Sequence, residues 1–220
     1  MEMNMSNRKT YAVFGLGRYG LAVARELIKD GAEVLAVDID EARVNSVAVE
    51  LPYCKCADVT DAEVLRQLGI ADMDVVVIAM ANSLEASVMA VMLCKELGVE
   101  TVIAKCSCEA HRRILSKVGA DRVVQPESES GIRLAKNLLT SGFVDVIDLS
   151  DDVSLIELEV KGEWAGKTLI ELNLRKKYGI NVIAIRKGSE LIINIDPTMK
   201  LDSAMQLVVI TNASKLNKLK

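Results

Sequence analysis

The sequence lacks an apolar segment long enough to cross a membrane. Its longest aliphatic runs, such as VVVIAMA at 75 to 81, fall well short of the roughly 20 residues that a helix needs to span a bilayer. The first ten residues, MEMNMSNRKT, contain no apolar region like that of a secretory signal peptide. We therefore expect a cytoplasmic protein. Any association with a membrane would be peripheral and would come through a partner.

An excess of positive charge is also missing. The formal net charge is -4 and the isoelectric point is near 5.3, and the Lys and Arg residues are scattered along the chain. A nucleic-acid-binding protein usually concentrates basic residues on one face or segment. The composition therefore argues against a nucleic-acid partner.

Histidine and paired cysteine motifs are scarce. His111 is the only histidine, and we expect it on the exposed surface of a basic helix in EAHRRILSKVG, which leaves little scope for His-based catalysis. An odd number of cysteines without a signal peptide argues against disulfides, and no C-x-x-C or C-x-x-H spacing suggests zinc. We expect five reduced, structural thiols, at positions 54, 56, 94, 106 and 108.

The first part of the chain alternates short β-branched runs with longer amphipathic segments from Thr10 to about Val124. This alternation is typical of βαβ units around a parallel sheet. The predicted strands are YAVFG, EVLAVD, YCKCAD, DVVVIA, TVIAK and RVVQ, and the predicted helices lie near 19–30, 41–49, 61–68, 83–97 and 108–118. The fold class is α/β, with a doubly wound parallel (Rossmann-like) sheet.

A second, smaller α+β domain is predicted after a helix at 128–140 that ends near Gly142. Stricter alternation begins at SLIELEV, and one helix at 168–178 and the strands NVIAIR, LIINI and QLVVIT follow. We predict domains at 1–142 and 143–220, with the 128–140 helix joining them and ASKLNKLK as a polar or helical tail.

The segment YAVFGLGRYG contains a nucleotide-binding pattern. Gly15, Gly17 and Gly20 follow a strand and open a helix, so that the backbone can approach a pyrophosphate. Asp38 ends the next strand, where an acid accepts hydrogen bonds from a ribose 2'-OH and disfavours NADP. The alternative is a tight turn that binds nothing.

Arg18 lies inside the glycine loop. A permanently charged guanidinium suits a terminal phosphate better than the pyrophosphate of a dinucleotide, which hints at ADP or ATP; the alternative is a solvated arginine. Other residues of the loops at the carboxyl edge of the sheet complete the candidate cofactor site: Tyr19, Ile39, Asp40, Arg43, Ala57, Asp58, Ala79, Met80 and Lys105. For Asp40, Arg43 and Lys105, an ordinary surface or helix-start role remains the alternative.

Several motifs together resemble one family. The segments YAVFGLGRYG, LAVDID, CADVTDAEVL and LSKVGADRVVQPE are similar to the nucleotide-binding domain of RCK (TrkA-type) proteins, which regulate bacterial potassium transport. WAGKTLIELNLRKKYGINVIAIRKG and DPTMKLDSAMQLVVI are similar to the C-terminal domain of that family. The length and layout look most like its KtrA type of cytosolic subunit.

The resemblance implies a gating subunit that forms dimers and an octameric ring beneath a membrane potassium channel or transporter. ATP and ADP would favour different ring shapes, and Arg18 would reach the terminal phosphate of ATP. Glu127 would help hold a divalent cation, Mg²⁺ or Ca²⁺, by the phosphates; an acid favoured by a helix N-terminus is the alternative.

The resemblance also implies a second ligand, because some relatives bind cyclic di-AMP in the C-terminal domain. The matching positions are Leu174, Arg175, Asn181, Val182 and Pro197. The chain departs from the family pattern at two places: Ala204-Met205 replaces Gly-Asp before the last strand, which puts that turn in doubt, and Gln125 stands where His is frequent.

Two other functions share the same pocket. The chain could be an NAD(H)-sensing regulator, or an NAD-dependent oxidoreductase, since the fold alone does not decide between them. The small second domain and the single histidine argue against an enzyme. We therefore predict a non-catalytic regulator.

Overall fold

The computed structural model describes residues 9–80, 83–139, 143–150 and 152–212. Contacts divide the chain into two compact units, the first ending at Pro126 and the second beginning at Glu127. The boundary predicted at residue 142 lies outside the described residues, as does the predicted tail from 213 to 220. Within the described part of the chain, no helix is both long enough and apolar enough to cross a membrane.

The first unit alternates strands and helices, as predicted. Its strands are β1 (Thr10–Phe14), β2 (Glu33–Asp38), β3 (Cys54–Cys56), β4 (Val75–Ile78), β5 (Thr101–Lys105) and β6 (Arg122–Val124). Its helices are α1 (Arg18–Lys29), α2 (Glu41–Val47), α3 (Ala62–Gln67), α4 (Leu84–Glu96) and α5 (Glu109–Lys117), with a 3₁₀ turn at Ile70–Asp72.

The six strands form one parallel sheet in the order β3-β2-β1-β4-β5-β6, which confirms the predicted doubly wound fold. Successive residues of β1 pack on opposite faces, since Ala12 and Phe14 join one apolar core and Val13 joins another. The strand order reverses between β1 and β4. Their carboxyl ends therefore flank the crevice where such sheets bind ligands.

The second unit contains an antiparallel sheet with the order β10-β9-β11-β8-β7. Its strands are β7 (Phe143–Asp148), β8 (Val153–Glu159), β9 (Asn181–Lys187), β10 (Glu190–Ile192) and β11 (Met205–Asn212). The remaining helices are α6 (Pro126–Leu139), α7 (Leu169–Leu172) and α8 (Leu174–Tyr178). Trp164 lies in the core of this unit, with its ring centroid 5.7 Å from that of Tyr178.

Two predictions for the second unit were wrong. No strand was predicted at β7, an edge strand that pairs only with β8 in the described sheet. The single helix predicted at 168–178 is two short helices, because Asn173 adopts a left-handed conformation with φ 45°. A side-chain capping box between Thr168 and Glu171 starts the first of them.

The turn before β11 forms without the glycine of the family pattern. Asp202 accepts a hydrogen bond from the Ala204 N–H through its carboxylate (2.9 Å), and its carbonyl accepts one from the Met205 N–H (3.0 Å). The aspartate side chain therefore supplies the local hydrogen bond that closes this turn.

Candidate functional site

The glycine loop joins β1 to α1 at the crevice of the parallel sheet. Gly15 has φ 89°, and a Cβ atom there would lie 2.8 Å from Cγ of Met80. A Cβ atom on Gly20 would lie only 1.9 Å from the carbonyl oxygen of Gly15. At Gly17, by contrast, it would meet nothing within 4 Å. Gly15 and Gly20 therefore serve the packing of the loop, whereas Gly17 leaves space in front of it.

The N-terminus of α1 is open and electropositive. Gly17 is the N-cap, and no side chain among the described residues caps the helix or places an acid in its first turn. The first N–H groups of the helix are therefore open to solvent at the positive end of the helix dipole, and this arrangement favours the binding of an anion. Arg18 begins this helix, is exposed, and makes no hydrogen bond or ion pair within the described part of the chain.

Asp38 links the loop to the second strand. It is only 4% exposed, and its two carboxylate oxygens accept hydrogen bonds from the N–H groups of Leu16 (2.6 Å) and Asp40 (2.9 Å). An ionised carboxylate has about four acceptor positions, so capacity remains for a ribose hydroxyl. The sequence predicted a ligand contact for Asp38, but not that its carboxylate also holds the glycine loop through Leu16.

Arg43 connects the two acids at this edge. Its Nη1 lies 3.5 Å from Oδ2 of Asp38, and its Nε lies 3.3 Å from Oδ2 of Asp40. Asp40 is also the N-cap of α2 and accepts hydrogen bonds from the N–H groups of Ala42 and Arg43. Asp40 and Arg43 therefore have defined structural roles next to the loop, whether or not a ligand binds there.

A second cation lies near the glycine loop. Lys105 is the last residue of β5, and its Nζ lies 5.7 Å from the ring centroid of Tyr19 in the first turn of α1. This distance is within the range of a cation–π interaction. The arrangement places a lysine ammonium beside the open helix N-terminus that follows Gly17.

The other predicted residues lie where strands end at the same edge. Ile39 follows β2 and is exposed, and the Ala57 N–H donates to the carbonyl of Asp38 (3.0 Å). Hydrogen bonds from the hydroxyl and N–H groups of Thr60 lower the pKa of Asp58. After β4, the Ala79 N–H donates to the Phe14 carbonyl (2.7 Å), and the Met80 carbonyl accepts from the Ser87 hydroxyl (2.7 Å).

Glu127 lies in the first turn of α6, at the start of the second unit. An acid there interacts favourably with the helix dipole, which fits the structural alternative. Among the described residues there is no group of three or more His, Cys, Asp or Glu side chains that could hold a metal ion. A cation role for Glu127 stays a prediction.

The prediction that His111 is exposed was wrong. His111 is 3% exposed, on the buried side of α5 with Leu115. Its Nδ1 lies 3.4 Å from the Ser107 N–H nitrogen, and burial lowers the pKa of the imidazole. Arg112 and Arg113, which follow it directly in the sequence, had suggested an exposed helix face. The thiol of Cys94 is also buried, which raises its pKa to about 12.

The second unit contains a cavity of about 260 Å³ that four of the five predicted second-ligand residues line. The lining residues are Leu169, Asn173, Leu174, Arg175, Ile180, Asn181 and Val182. Pro197, the fifth predicted residue, is not among them; its carbonyl lies 3.4 Å from the Ile170 nitrogen. The left-handed turn at Asn173 was not predicted from the sequence, and it places the starts of α7 and α8 at this cavity.

Comparisons with solved structures agree with this fold. The GsuK channel bound to NAD matches 98% of this chain with 20% identity and a TM-score of 0.66. GsuK bound to ADP matches 64% with 19% identity and a TM-score of 0.52. The matches span 39% and 37% of those chains, so this chain corresponds to less than half of the channel protein.

Comparisons of sequence identify the family. Residues 11–126 match the TrkA-N domain, and residues 153–220 match the TrkA-C domain. Ktr system potassium uptake protein C of Bacillus subtilis (strain 168) is 37% identical over 211 residues, which are 96% of each chain. Ktr system potassium uptake protein A of Vibrio alginolyticus is 37% identical over 213 residues, 96% of this chain and 97% of that one. The chain therefore belongs to the TrkA-type RCK family of potassium transport proteins, as a KtrA-like member.

Proposed function

We propose that this protein is a cytoplasmic regulatory subunit that gates a membrane potassium channel or transporter through the binding of ATP or ADP. The observation that carries the proposal is the open N-terminus of α1, which has no acid in its first turn and begins with the exposed Arg18. A guanidinium at that place adds charge-assisted hydrogen bonds to a phosphate chain already held by backbone N–H groups.

Regulation requires that the two nucleotides act differently on the protein. ATP carries one more phosphate than ADP, and Arg18 is the residue we assign to that group. A ligand shifts a conformational equilibrium only through contacts that differ between the two states. In this proposal, Arg18 makes such a contact with ATP and not with ADP, and the shape of the assembly changes in response.

NAD or NADH is the alternative ligand, because the RCK channel GsuK has been solved with NAD as well as with ADP. Asp38 at the end of β2 suits the ribose of either class of nucleotide. We favour a regulator over an oxidoreductase because relatives that match nearly the whole chain are potassium uptake proteins. The buried His111 is also poorly placed to exchange protons with a substrate.

We infer that the partners are a membrane potassium-transport subunit and other copies of this chain. The relatives belong to Ktr potassium uptake systems, which supports such a membrane partner. We further propose dimers that build an octameric ring, with Glu127 helping to hold Mg²⁺ or Ca²⁺ beside the phosphates.

Native mass spectrometry tests the proposal, because one spectrum reports both the bound ligand and the number of chains. The chain should be incubated with ATP, ADP, NAD or NADH, each with and without Mg²⁺. We expect one adenine nucleotide per chain and a particle of eight chains. With ATP present, the original chain should retain more Mg²⁺ than the Glu127→Gln variant. A monomer in all conditions, or retention of NADH alone, would contradict the proposal.

The cavity of the second unit supports a second ligand, for which we propose cyclic di-AMP. Arg175 provides a cation at the rim for a phosphate, and Leu174 and Val182 provide apolar surface for a base. We expect Arg175→Ala to weaken binding of cyclic di-AMP about tenfold in calorimetry, since a charge-assisted hydrogen bond is lost. Lys176→Ala, which removes the neighbouring charge outside the lining, is the control; equal losses for both would argue against the cavity.

A further inference from the structure

His111 connects the first turn of α5 to the loop before it. It is the third residue of that helix, and its imidazole Nδ1 accepts a long hydrogen bond from the Ser107 N–H, 3.4 Å away. The N-cap residue, Cys108, makes no side-chain hydrogen bond to the helix. A side chain of the first turn that reaches back to a preceding N–H is one half of a capping box. His111 therefore plays the part that an acid usually plays at a helix start.

This contact requires a neutral imidazole. A backbone N–H can only donate, so Nδ1 accepts and the ring proton lies on Nε2. The Nε2 atom is buried and has no hydrogen-bond partner among the described residues, and His111 is only 3% exposed. A second proton would remove the acceptor at Nδ1 and would place a positive charge in a buried site at the positive end of the helix dipole. Burial, the lost acceptor and the dipole all disfavour the protonated form in the closed turn.

No charged neighbour within the described ranges offsets these effects. The helix packs against α4 and β6. The ionisable side chains on those elements, on α5 itself and in the loop before it are Glu85, Cys94, Lys95, Glu96, Arg122, Glu109, Arg112, Arg113, Lys117, Cys106 and Cys108. Lys95 pairs with Asp121 (3.0 Å), and the Arg112 Nη1 donates to the Val123 carbonyl (2.7 Å). Burial is the cause that lowers the pKa of His111.

The loop before α5 also contacts the last residues of the first unit. The Ser107 carbonyl accepts a hydrogen bond from Nε2 of Gln125 (3.1 Å), and the Cys106 N–H donates to the carbonyl of Val124 (2.9 Å). The first unit ends one residue after Gln125, at Pro126. Ser107 is therefore held through its N–H by His111 and through its carbonyl by Gln125.

We propose that His111 is an acid-sensitive switch, whose protonation opens the first turn of α5 and detaches the loop before it from the last residues of the first unit. This inference goes beyond nucleotide recognition, since His111, Ser107 and Gln125 are not residues of the candidate nucleotide site.

The direction of the pH response follows from the two states of the turn. In the open turn the imidazole is solvated and takes up a proton near its ordinary pKa of about 6.5, whereas burial lowers the pKa in the closed turn. The closed turn is therefore fully favoured above about pH 6.5. It loses stability as the pH falls from that value toward the lowered pKa, because the open turn then binds more protons.

Hydrogen–deuterium exchange of the full chain without nucleotide tests the switch, with fragmentation that resolves single amides. The reporters are the N–H groups of Ser107 and Arg112, which are hydrogen-bonded in the closed turn, and that of Cys106. After correction for intrinsic rates, opening should increase about tenfold between about pH 7.5 and about pH 5.5, one unit below the pKa of a free histidine. Helix α1 should not respond. His111 is the only histidine in the sequence, so no other side chain of ordinary pKa titrates in this interval.

His111→Asn is the matched variant. Asparagine places an acceptor oxygen near the position of Nδ1 and does not titrate, so the acid response should fall below about twofold. Ser116→Asn, an exposed substitution on the same helix, should keep the full response. Melting near neutral pH checks that each variant folds, and the response of the original chain tests the switch independently of them.

Four results would overturn the inference. The original chain could open equally at both pH values, or His111→Asn could keep the tenfold response. Equal acceleration in α1 would mean that acid unfolds the whole first unit, and an unchanged Cys106 N–H would mean that the loop stays attached. None of these measurements involves a nucleotide, so their failure would leave the proposed function standing.

Discussion

Replacing Gly20 with alanine should destabilise the first unit by about 3 kcal/mol and abolish nucleotide binding. The new methyl carbon would lie 1.9 Å from the carbonyl oxygen of Gly15, and that oxygen belongs to backbone, which cannot move aside as a flexible side chain can. Relief of the clash requires α1 to shift away from the sheet. The glycine loop and the open helix N-terminus would then lose their geometry.

Gly17→Ala is the matched control, since it adds the same methyl group to the same loop. Gly17 has φ -67°, which alanine adopts without strain, and the added Cβ would meet nothing within 4 Å. We expect the stability to fall by no more than about 1 kcal/mol, the cost of a poorer N-cap residue. Nucleotide binding should nevertheless weaken tenfold or more, because the methyl group would occupy the space in which phosphates approach the backbone.

Urea unfolding can locate these effects within the chain. The only tryptophan, Trp164, lies in the core of the second unit, so its fluorescence follows that unit, whereas far-UV circular dichroism follows both. Gly20→Ala should shift the circular dichroism transition and leave the Trp164 transition near its original midpoint. Unchanged stability in Gly20→Ala, or unchanged nucleotide affinity in Gly17→Ala, would refute the assignment of these two glycines.

Replacing Arg18 with alanine should weaken ATP binding by tenfold or more and ADP binding by less than about threefold. A charge-assisted hydrogen bond to a phosphate contributes about 1.5 to 3 kcal/mol, and in our proposal only ATP presents the terminal phosphate that Arg18 contacts. The folded protein should be unaffected, since Arg18 is exposed and has no partner among the described residues. Calorimetry with each nucleotide measures the two affinities.

Lys29→Ala controls for the loss of a positive charge, because Lys29 is exposed at the other end of the same helix, where it pairs with Glu26. It should change both affinities by less than about twofold, because exposed charges are screened by salt. Arg18→Lys should give an intermediate ATP affinity, since an ammonium cannot form the two parallel hydrogen bonds of a guanidinium. Equal losses of ATP and ADP affinity in Arg18→Ala would remove the basis for a sensor that distinguishes the two nucleotides.

Local patterns were sufficient to predict most of the fold. The strand at Val75–Ile78 is apolar throughout because helices cover both faces of the parallel sheet, and this pattern is visible in the sequence. The strand at Phe143–Asp148 was missed because its pairing with β8 shifts register between Phe143 and Asp145, which interrupts the simple two-residue alternation of a strand. The break at Asn173 was missed because a single left-handed residue leaves the apolar spacing of the surrounding helix almost unchanged.

The candidate site likewise has some features that the sequence predicted and others that it did not. The positions of the glycine loop, of Asp38 and of Arg18 at the carboxyl edge of the sheet could be read from the sequence, because spacing along one βαβ unit is a local property. The three-dimensional structure was needed to see that Gly20 packs against Gly15, that Asp38 accepts a hydrogen bond from the Leu16 N–H, that Lys105 lies over Tyr19 and that His111 is buried. Each of these depends on how separate elements approach one another in space, and one sequence does not record which side of an element meets which neighbour.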